Sequence, residues 1–122
     1  LMLPIRGDKG VLVPKASCSF YERALRAGVR IYLYQNGYLH AKTAVSDDAI
    51  VSVGSTNIDP RSLRLSFEVN AFIYDAEVAQ QQRDIFLRDM HDCHVLTLDE
   101  WQQRSRLERL KESLARLFMP IL

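Results

Sequence analysis

The chain has 122 residues, of which 48% are hydrophobic and 25% charged, enough for one modest folded domain with its own core. Sixteen basic and fifteen acidic residues leave a net charge of +1, so composition does not favour nucleic-acid binding, which usually requires a basic surface. The sequence has no run approaching the roughly 20 apolar residues of a transmembrane helix and no signal-peptide pattern. It begins Leu1-Met2, from which we expect an excerpt of a longer polypeptide.

The N-terminal third predicts a strand followed by a helix. Prolines and glycines interrupt the apolar runs of residues 1–16, which indicates a short strand, a loop and a connector. The segment from Ser19 to Glu22 matches a capping box, with Ser17 as an alternative cap. The helix that follows is expected to end at Gly28, a natural C-terminal stop.

Strand candidates fill the middle of the chain. Alternating apolar residues predict a strand over 29–34, and the turn signal at 35–37 leads into a second strand over 39–45. Two further apolar runs predict strands over 50–53 and 66–74. The order of a helix and then strands indicates an α/β layered domain.

Helices dominate the C-terminal third. Asp75 caps a helix predicted over 76–93, and Thr97 opens a capping box for a helix that contains Trp101. A leucine stripe predicts a last helix over 104–117. That helix either packs on the domain with a solvated outer face or lies on an anionic lipid surface.

Cysteines and C-terminal histidines give little support for a metal site. Cys18 and Cys93 fit no metal spacing and no disulfide framework, so we predict reduced thiols in a reducing compartment. His91 and His94 could ligate a metal, but their cluster lacks an established zinc spacing. Histidines near a helix C-terminus are also favoured by the helix dipole.

The strongest chemical signal begins at His40 and Lys42. Two residues apart in a predicted strand, they would project from the same face. An imidazole that can attack or donate a proton would then stand beside a fixed cation. Gly54, Ser55 and Asn57 follow the next strand with small or hydrogen-bonding groups. Together these residues predict an oxyanion or phosphate site.

Two carboxylates near this site have different expected roles. Asp47 is seven residues after His40, an odd separation that points it to the opposite strand face, so we predict that it fixes the turn. Glu68 lies inside the apolar strand predicted over 66–74 and therefore needs a partner. That partner is either a histidine, as in other His–carboxylate pairs, or an arginine, for which the candidates are Arg61 and Arg64.

The spacing His-x-Lys-x4-Asp-x6-Gly-Ser-x-Asn, from His40 to Asn57, resembles the signature of the phospholipase D superfamily. Every fixed position is present, a coincidence expected about once in a million chains of average composition. The flanking sequence resembles the C-terminal catalytic half of bacterial cardiolipin synthases. The likeness runs from Gly-Tyr-Leu-His40 through Phe-Glu68-Val-Asn to the C-terminal Arg-Leu-Phe-Met-Pro-Ile-Leu. One departure is Ser66, where that family commonly has Asn.

The resemblance implies a phospholipase D-like α-β-α layered domain with a mixed central sheet flanked by helices. Residues 1–122 would form a single domain, the C-terminal half of a two-domain enzyme, with 98–122 as a C-terminal helical tail. The implied reaction is phosphatidyl transfer from phosphatidylglycerol to a second lipid alcohol through a phosphohistidine, which gives cardiolipin and glycerol without a cofactor or a metal. The implied catalytic residues are His40, Lys42, Asp47 and Glu68, and the implied phosphate-binding residues are Lys42, Ser55 and Asn57. In this scheme His40 acts as acid–base, and Glu68 orients it.

One His-x-Lys motif supplies half of such a site. The resemblance implies that an N-terminal phospholipase D domain of the same chain, or a second copy, supplies the other half, and that the isolated chain is inactive unless paired. Phospholipids and a membrane surface are the implied partners, nucleic acid is not, and the implied location is the cytoplasmic side of a bacterial inner membrane. The alternatives are a homodimeric phosphodiesterase acting on lipid or nucleic acid, a non-catalytic interaction domain, and a metal hydrolase using His91 and His94.

Overall fold

The computed structural model describes residues 1–5 and 20–105. The chain divides into two compact units, the first formed by Leu1–Leu39 with Cys93–Leu122 and the second by His40–Asp92. The described elements are, in chain order, β1 (Met2–Pro4), α1 (Tyr21–Arg26), β2 (Ile31–Tyr34), β3 (Thr43–Ser46), β4 (Ile50–Gly54), α2 (Pro60–Arg64), β5 (Asn70–Tyr74), α3 (Ala76–Asp89), a 3-10 turn (Met90–Asp92), β6 (Cys93–Leu96) and α4 (Leu98–Gln102).

The first unit is built around β2, the middle strand of a three-stranded sheet. β1 runs parallel to β2, and β6 runs antiparallel to it, so this sheet is mixed. The core consists of buried side chains from β2, β6 and α4, namely Ile31, Leu96 and Trp101. The ring of Tyr21 in α1 lies 5.1 Å from the Trp101 ring, centroid to centroid, and so packs α1 against this core.

The second unit holds a three-stranded antiparallel sheet with β4 in the middle. Helix α3 contacts β3 and β4, and Val51 in β4 and Ala79 in α3 are fully buried. An ion pair between Arg83 of α3 and Asp48 joins the helix to the turn between β3 and β4. The sheet is therefore backed by a helix along the strands that approach the predicted site.

Two predicted helix caps are confirmed. The Asp75 carboxylate accepts hydrogen bonds from the backbone N–H groups of Glu77, at 2.8 Å, and Val78, at 3.0 Å. The Thr97 hydroxyl accepts one from the Glu100 N–H at 3.2 Å. Both caps are local contacts, which is why a few residues of sequence were enough to identify them.

Other predicted boundaries were wrong. The helix predicted over 76–93 ends at Asp89, and the chain then enters the 3-10 turn and strand β6. Cys93, the last residue of the predicted helix, instead begins a strand because it pairs with Tyr34 of β2. Between the strands predicted over 50–53 and 66–74, where the sequence analysis assigned no helix, the chain forms helix α2, capped by Asp59. Helix α1 follows Phe20 without a side-chain cap, and the cap candidates Ser17 and Ser19 lie outside the described residues.

The α/β class predicted from the order of elements is confirmed. The described strands form two three-stranded sheets, the first of them mixed. The last predicted helix, over 104–117, lies almost entirely outside the described residues, as does Cys18, whereas α4 falls within the predicted tail over 98–122. Within the two described ranges, no helix combines the length and apolar character needed to span a membrane.

Candidate active site

The hairpin of β3 and β4 turns at Asp47. Asp47 and Asp48 adopt left-handed backbone conformations, with φ of 52° and 50°, in the three-residue turn between the paired residues Ser46 and Ile50. The Ala49 N–H donates to the Ser46 carbonyl oxygen at 3.1 Å, and the Ser46 hydroxyl donates to the Asp47 carboxylate at 3.2 Å. Aspartate tolerates this conformation better than most residues, so the geometry gives Asp47 a role in shaping the turn.

Lys42 stands at the opposite end of the hairpin, five residues or about 16 Å along the strand from Asp47 at 3.3 Å per residue. The Gly54 N–H donates to the Lys42 carbonyl oxygen at 3.1 Å, which extends the pairing of β3 and β4 by one residue. The Lys42 ammonium donates to the carbonyl oxygen of His40 at 2.9 Å. An ammonium has three donors, so two remain for an anion.

His40 is not in the strand where the sequence placed it. The strand predicted over 39–45 begins only at Thr43, because sheet pairing with β4 ends at Lys42. His40 is exposed and precedes the last sheet hydrogen bond by two residues. Strand alternation therefore does not fix the relation of His40 to Lys42; the hydrogen bond from the Lys42 ammonium to the His40 carbonyl oxygen links them instead.

Gly54 and Ser55 sit where β4 approaches β5 most closely. Gly54 pairs with Asn70, and a Cβ at Gly54 would overlap the Asn70 side chain and the Val69 carbonyl oxygen. The Ser55 N–H donates to that same carbonyl oxygen at 3.0 Å. The Val69 N–H donates in turn to the Ser55 hydroxyl oxygen at 3.0 Å. Ser55 is thus held by the strand opposite, and only a glycine at 54 permits that approach.

Glu68 lies just before β5, which begins at Asn70, so the prediction that it sits inside a strand was wrong. Its carboxylate accepts a hydrogen bond from the Ser55 hydroxyl. This bond, with a smaller contribution from the Ser62 hydroxyl, holds the pKa of the Glu68 carboxyl below its ordinary value of 4.5, because hydrogen bonds to the charged form favour it. Burial opposes this lowering of the pKa, and the charges of Lys42 and Arg61 add to it.

Sequence reasoning missed both serine partners of Glu68. It offered a histidine or an arginine, and the charge of one of the candidate arginines, Arg61, contributes to lowering the pKa of Glu68. Ser55 was already assigned to the phosphate site, but its bond to Glu68 depends on the approach of β5, which is not local in sequence. Ser62 had one available signal, since the Asp59-Pro60 pair before it marks a helix start.

Asn57 is exposed and is linked to helix α2. Its side-chain amide nitrogen donates to the Ser62 hydroxyl oxygen at 3.4 Å. The neighbouring Thr56 hydroxyl accepts from the Asn70 amide nitrogen at 2.8 Å. The segment after β4 is therefore connected to both α2 and β5, and it holds Asn57 in the same network as Glu68.

The structure brings together five of the six predicted site residues through named hydrogen bonds or charge interactions. The Lys42 ammonium donates to the His40 carbonyl oxygen, and its charge contributes to lowering the pKa of Glu68. The Glu68 carboxylate accepts a hydrogen bond from the Ser55 hydroxyl. The Asn57 amide donates to the Ser62 hydroxyl oxygen, and the Ser62 hydroxyl also contributes to lowering the pKa of Glu68. The sixth, Asp47, stands at the far end of the hairpin. The cluster offers an ammonium, an amide and hydroxyl groups, and the backbone carbonyl of His40 binds its ammonium. Such a set of donors is suited to binding an anion.

The C-terminal histidines are held differently. His94 in β6 places its Nε2 2.9 Å from each carboxylate oxygen of Glu100, whereas His91 is exposed in the 3-10 turn. Across residues 1–5 and 20–105, no group of three or more His, Cys, Asp or Glu side chains is arranged to hold a metal ion. Cys93 is half-buried at the start of β6.

Comparison with known proteins gives consistent matches. The family model described as cardiolipin synthase, PLD-like domain, matches residues 2–90. The major cardiolipin synthase ClsA of Bacillus subtilis (strain 168) is 46% identical over 122 residues, which is 100% of this chain and 25% of that protein. Cardiolipin synthase 2 of Staphylococcus epidermidis is 49% identical over 98 residues, covering 80% of this chain and 20% of the relative.

Among solved structures, the chain is similar to Nuc from Salmonella typhimurium, a phospholipase D family member, with a TM-score of 0.67. The two share 17% sequence identity, and the match covers 79% of this chain and 62% of the other. At this identity the likeness concerns the fold, and it confirms the predicted phospholipase D-like class. The chain spans about a quarter of the length of the B. subtilis relative.

Proposed function

Because the chain belongs to the PLD-like domain family of cardiolipin synthases, we propose that it supplies one of two half-sites of a phosphatidyltransferase that makes cardiolipin. The observation that supports this most directly is the group of Lys42, Ser55, Asn57 and Glu68, in which the Ser55 hydroxyl donates to Glu68, the charge of Lys42 acts on Glu68 and Asn57 is held by Ser62. Its cation and its N–H and O–H donors match the charge and the oxygens of a phosphodiester.

The proposed reaction has two displacements at one phosphorus. A histidine of the other half-site attacks the phosphorus of phosphatidylglycerol, a P–N bond forms, and the P–O bond to the terminal glycerol breaks. His40 donates its proton to the departing glycerol oxygen. It then removes the proton from a hydroxyl of a second phosphatidylglycerol, whose oxygen attacks phosphorus and releases the first histidine. Splitting one displacement into two easier ones is the advantage of covalent catalysis.

The remaining residues bind and orient. Lys42 and Asn57 hold the non-bridging phosphate oxygens, and Ser55 supports that contact. Glu68 stabilises the imidazolium form of His40 and orients its ring, the role of carboxylates in other His–carboxylate pairs. Asp47 serves the reaction indirectly by shaping the turn of the hairpin on which Lys42 stands. This scheme needs no metal, since the lysines of the two half-sites supply the positive charge.

The second half-site comes from an N-terminal phospholipase D domain of the same polypeptide or from a second copy of this chain. Its His-x-Lys motif would provide the nucleophile, so the isolated chain is expected to be inactive until it is paired. We place the enzyme at the inner membrane of a bacterium, on its cytoplasmic side, where phosphatidylglycerol is both donor and acceptor. Binding of nucleic acid forms no part of the proposal.

The test is an assay of the full-length enzyme with phosphatidylglycerol labelled in its terminal glycerol. We expect free glycerol and cardiolipin in equal amounts. His40→Ala should lower the rate at least about 100-fold, the usual contribution of a general acid–base. His91→Ala is the matched control, because His91 is an exposed histidine of the same unit, and it should keep the wild-type rate.

Each alternative function predicts a different outcome. Phosphatidic acid as the main lipid product would indicate hydrolysis and reject transfer. Cardiolipin synthesis at a near wild-type rate by His40→Ala would reject the assignment of His40. Loss of activity on chelation or in His91→Ala would favour a metal hydrolase.

A further inference from the structure

Thr56, the residue between Ser55 and Asn57, is held by a side chain from strand β5. Its hydroxyl oxygen accepts a hydrogen bond from the Asn70 side-chain nitrogen at 2.8 Å, a short distance for an N–H···O bond. Its backbone N–H faces the Asn70 side-chain oxygen at 3.5 Å, a longer and weaker contact. One amide thus meets both the side chain and the backbone of the residue that joins Ser55 to Asn57.

The position of the Asn70 amide depends on sheet pairing. Asn70 is the first residue of β5 and pairs with Gly54, the last residue of β4. A Cβ at Gly54 would overlap the Asn70 side chain, so the glycine leaves room for the amide beside the end of β4. From there the amide reaches Thr56, two residues beyond the end of the strand.

Asn70 therefore fixes a part of the chain that lies past the end of β4. Ser55 is bonded to Val69 through its backbone N–H and its hydroxyl oxygen, each at 3.0 Å. The side chain of Asn57 makes a longer bond, of 3.4 Å, to helix α2. The 2.8 Å bond at Thr56 therefore fixes the backbone that leads from Ser55 into Asn57.

An asparagine at position 70 satisfies two groups of Thr56 at once. An amide nitrogen donates and an amide oxygen accepts, whereas a backbone N–H can only donate. The amide oxygen therefore lies on the side of the Thr56 N–H, and the nitrogen faces the hydroxyl. Asn70→Leu keeps a similar branched shape but removes both polar groups, and Thr56→Val keeps the shape of threonine but removes the acceptor.

We infer that Asn70 is a positioning residue, whose amide holds Thr56 so that Asn57 meets the phosphate oxygen at a fixed spacing from Ser55. The inference rests on the proposed function, because that function places Ser55 and Asn57 at the phosphate. It deepens that function by giving a role at the same site to Asn70, and to Thr56, the position that the signature leaves unspecified.

The test measures kcat and KM for phosphatidylglycerol in mixed micelles with the full-length enzyme. Asn70→Leu and Thr56→Val each remove one partner of the 2.8 Å bond. Each should lower kcat/KM about 10-fold, the factor for one hydrogen bond at the upper end of its range. Most of the loss should appear in KM, since the phosphate is already bound before it reacts. The double variant should lose little more than either single variant, because both substitutions break the same bond.

Two further variants separate positioning from a loss of folded protein. Thr56→Ser keeps the hydroxyl and should stay within about threefold of the wild-type kcat/KM. Thr43→Val is the matched control, because it makes the same change at an exposed position of β3 in the same sheet, and its kcat and KM should equal those of the wild type. A variant that is only partly unfolded has fewer active molecules, which lowers kcat and leaves KM unchanged.

The inference is overturned if Asn70→Leu and Thr56→Val retain the wild-type kcat/KM, or if they lower kcat alone. Additive losses in the double variant also overturn it, since the two side chains then act independently. If thermal denaturation shows that Asn70→Leu fails to fold, the comparison of Thr56→Val with Thr56→Ser decides, and equal losses overturn the inference. A wild type that releases phosphatidic acid while these effects persist rejects transfer and leaves the positioning role standing. A wild type that neither transfers nor hydrolyses the phosphatidyl group rejects both.

Discussion

Replacing Gly54 with alanine should force β4 and β5 apart at the edge of the half-site. The new methyl group would overlap the Asn70 side chain and the Val69 carbonyl oxygen. Asn70 can rotate away, but the Val69 carbonyl belongs to the backbone and moves only with the strand. The Val69 shift would in turn stretch its two hydrogen bonds with Ser55, each of 3.0 Å.

The expected magnitude follows from these contacts. Inserting a methylene-sized group into a packed site costs about 1–3 kcal/mol, and weakening two exposed hydrogen bonds adds up to about 1 kcal/mol more. We therefore expect Gly54→Ala to lower the free energy of unfolding by about 1–4 kcal/mol. Because Ser55 moves with the strand, kcat/KM should fall about 100-fold, as it does for a displacement of about 1 Å in an active site.

Urea denaturation followed by circular dichroism measures the first effect, and the glycerol-release assay measures the second. Gly28→Ala provides the control, since Gly28 has a φ of +84° with no atom of the described structure within 4 Å of the added Cβ. It should cost about 1 kcal/mol through backbone strain and leave kcat/KM unchanged. A Gly54→Ala enzyme with wild-type kcat/KM, destabilised by less than Gly28→Ala, would refute the steric reasoning.

Two further predictions concern stability. Since the folded protein holds the pKa of Glu68 below 4.5, the carboxylate stabilises the fold above that pH, and this contribution is lost as pH falls through the folded pKa. The difference in unfolding free energy between wild type and Glu68→Gln should therefore be constant above about pH 5.5 and shrink in more acidic solution; a difference that persists unchanged to pH 3 contradicts the lowered pKa. Thr97→Ala removes the cap of α4 and should cost about 1 kcal/mol, seen as a lower Tm with unchanged kcat. Thr97→Ser should keep the wild-type Tm, and a loss as large as that of alanine would rule out the capping hydroxyl as the cause.

The parts of the fold that sequence predicted well depend on neighbouring residues. Asp75 and Thr97 cap helices through bonds spanning two or three residues, so a short window contains all the information. Strand β6 was not predicted, and its first residue, Cys93, fitted the apolar spacing of the preceding helix. What makes Cys93 to Leu96 a strand is pairing with β2, some sixty residues earlier in the chain, and no local pattern records that.

In the candidate site too, local features were predictable from the sequence, whereas contacts between distant residues were not. Spacing was enough to predict Lys42, Ser55 and Asn57 as site residues, because a phosphate site needs a cation and donors close together. Their connections were not, because the hydroxyls reach Glu68 only through the approach of β5 and the folding of α2. Treating Glu68 as a strand residue hid Ser62, since a carboxylate in a strand has cross-strand neighbours rather than a helix beside it.

The role of Gly54 in the fold differs from the role that the sequence predicted. In the sequence it is a small residue that leaves room for an anion, whereas in the fold it permits β5 to approach and so holds Ser55 and Glu68 together. The proposed phosphate-binding part of the site is thus anchored by backbone hydrogen bonds at Lys42, Gly54 and Val69. His40 lies two residues before the first of these bonds, on a segment linked to the sheet through the Lys42 ammonium. The proposed reaction needs histidines from two half-sites to meet at one phosphorus. The arrangement suits this requirement, because the sheet edge can hold the phosphate while the segment before the sheet carries the imidazole of His40.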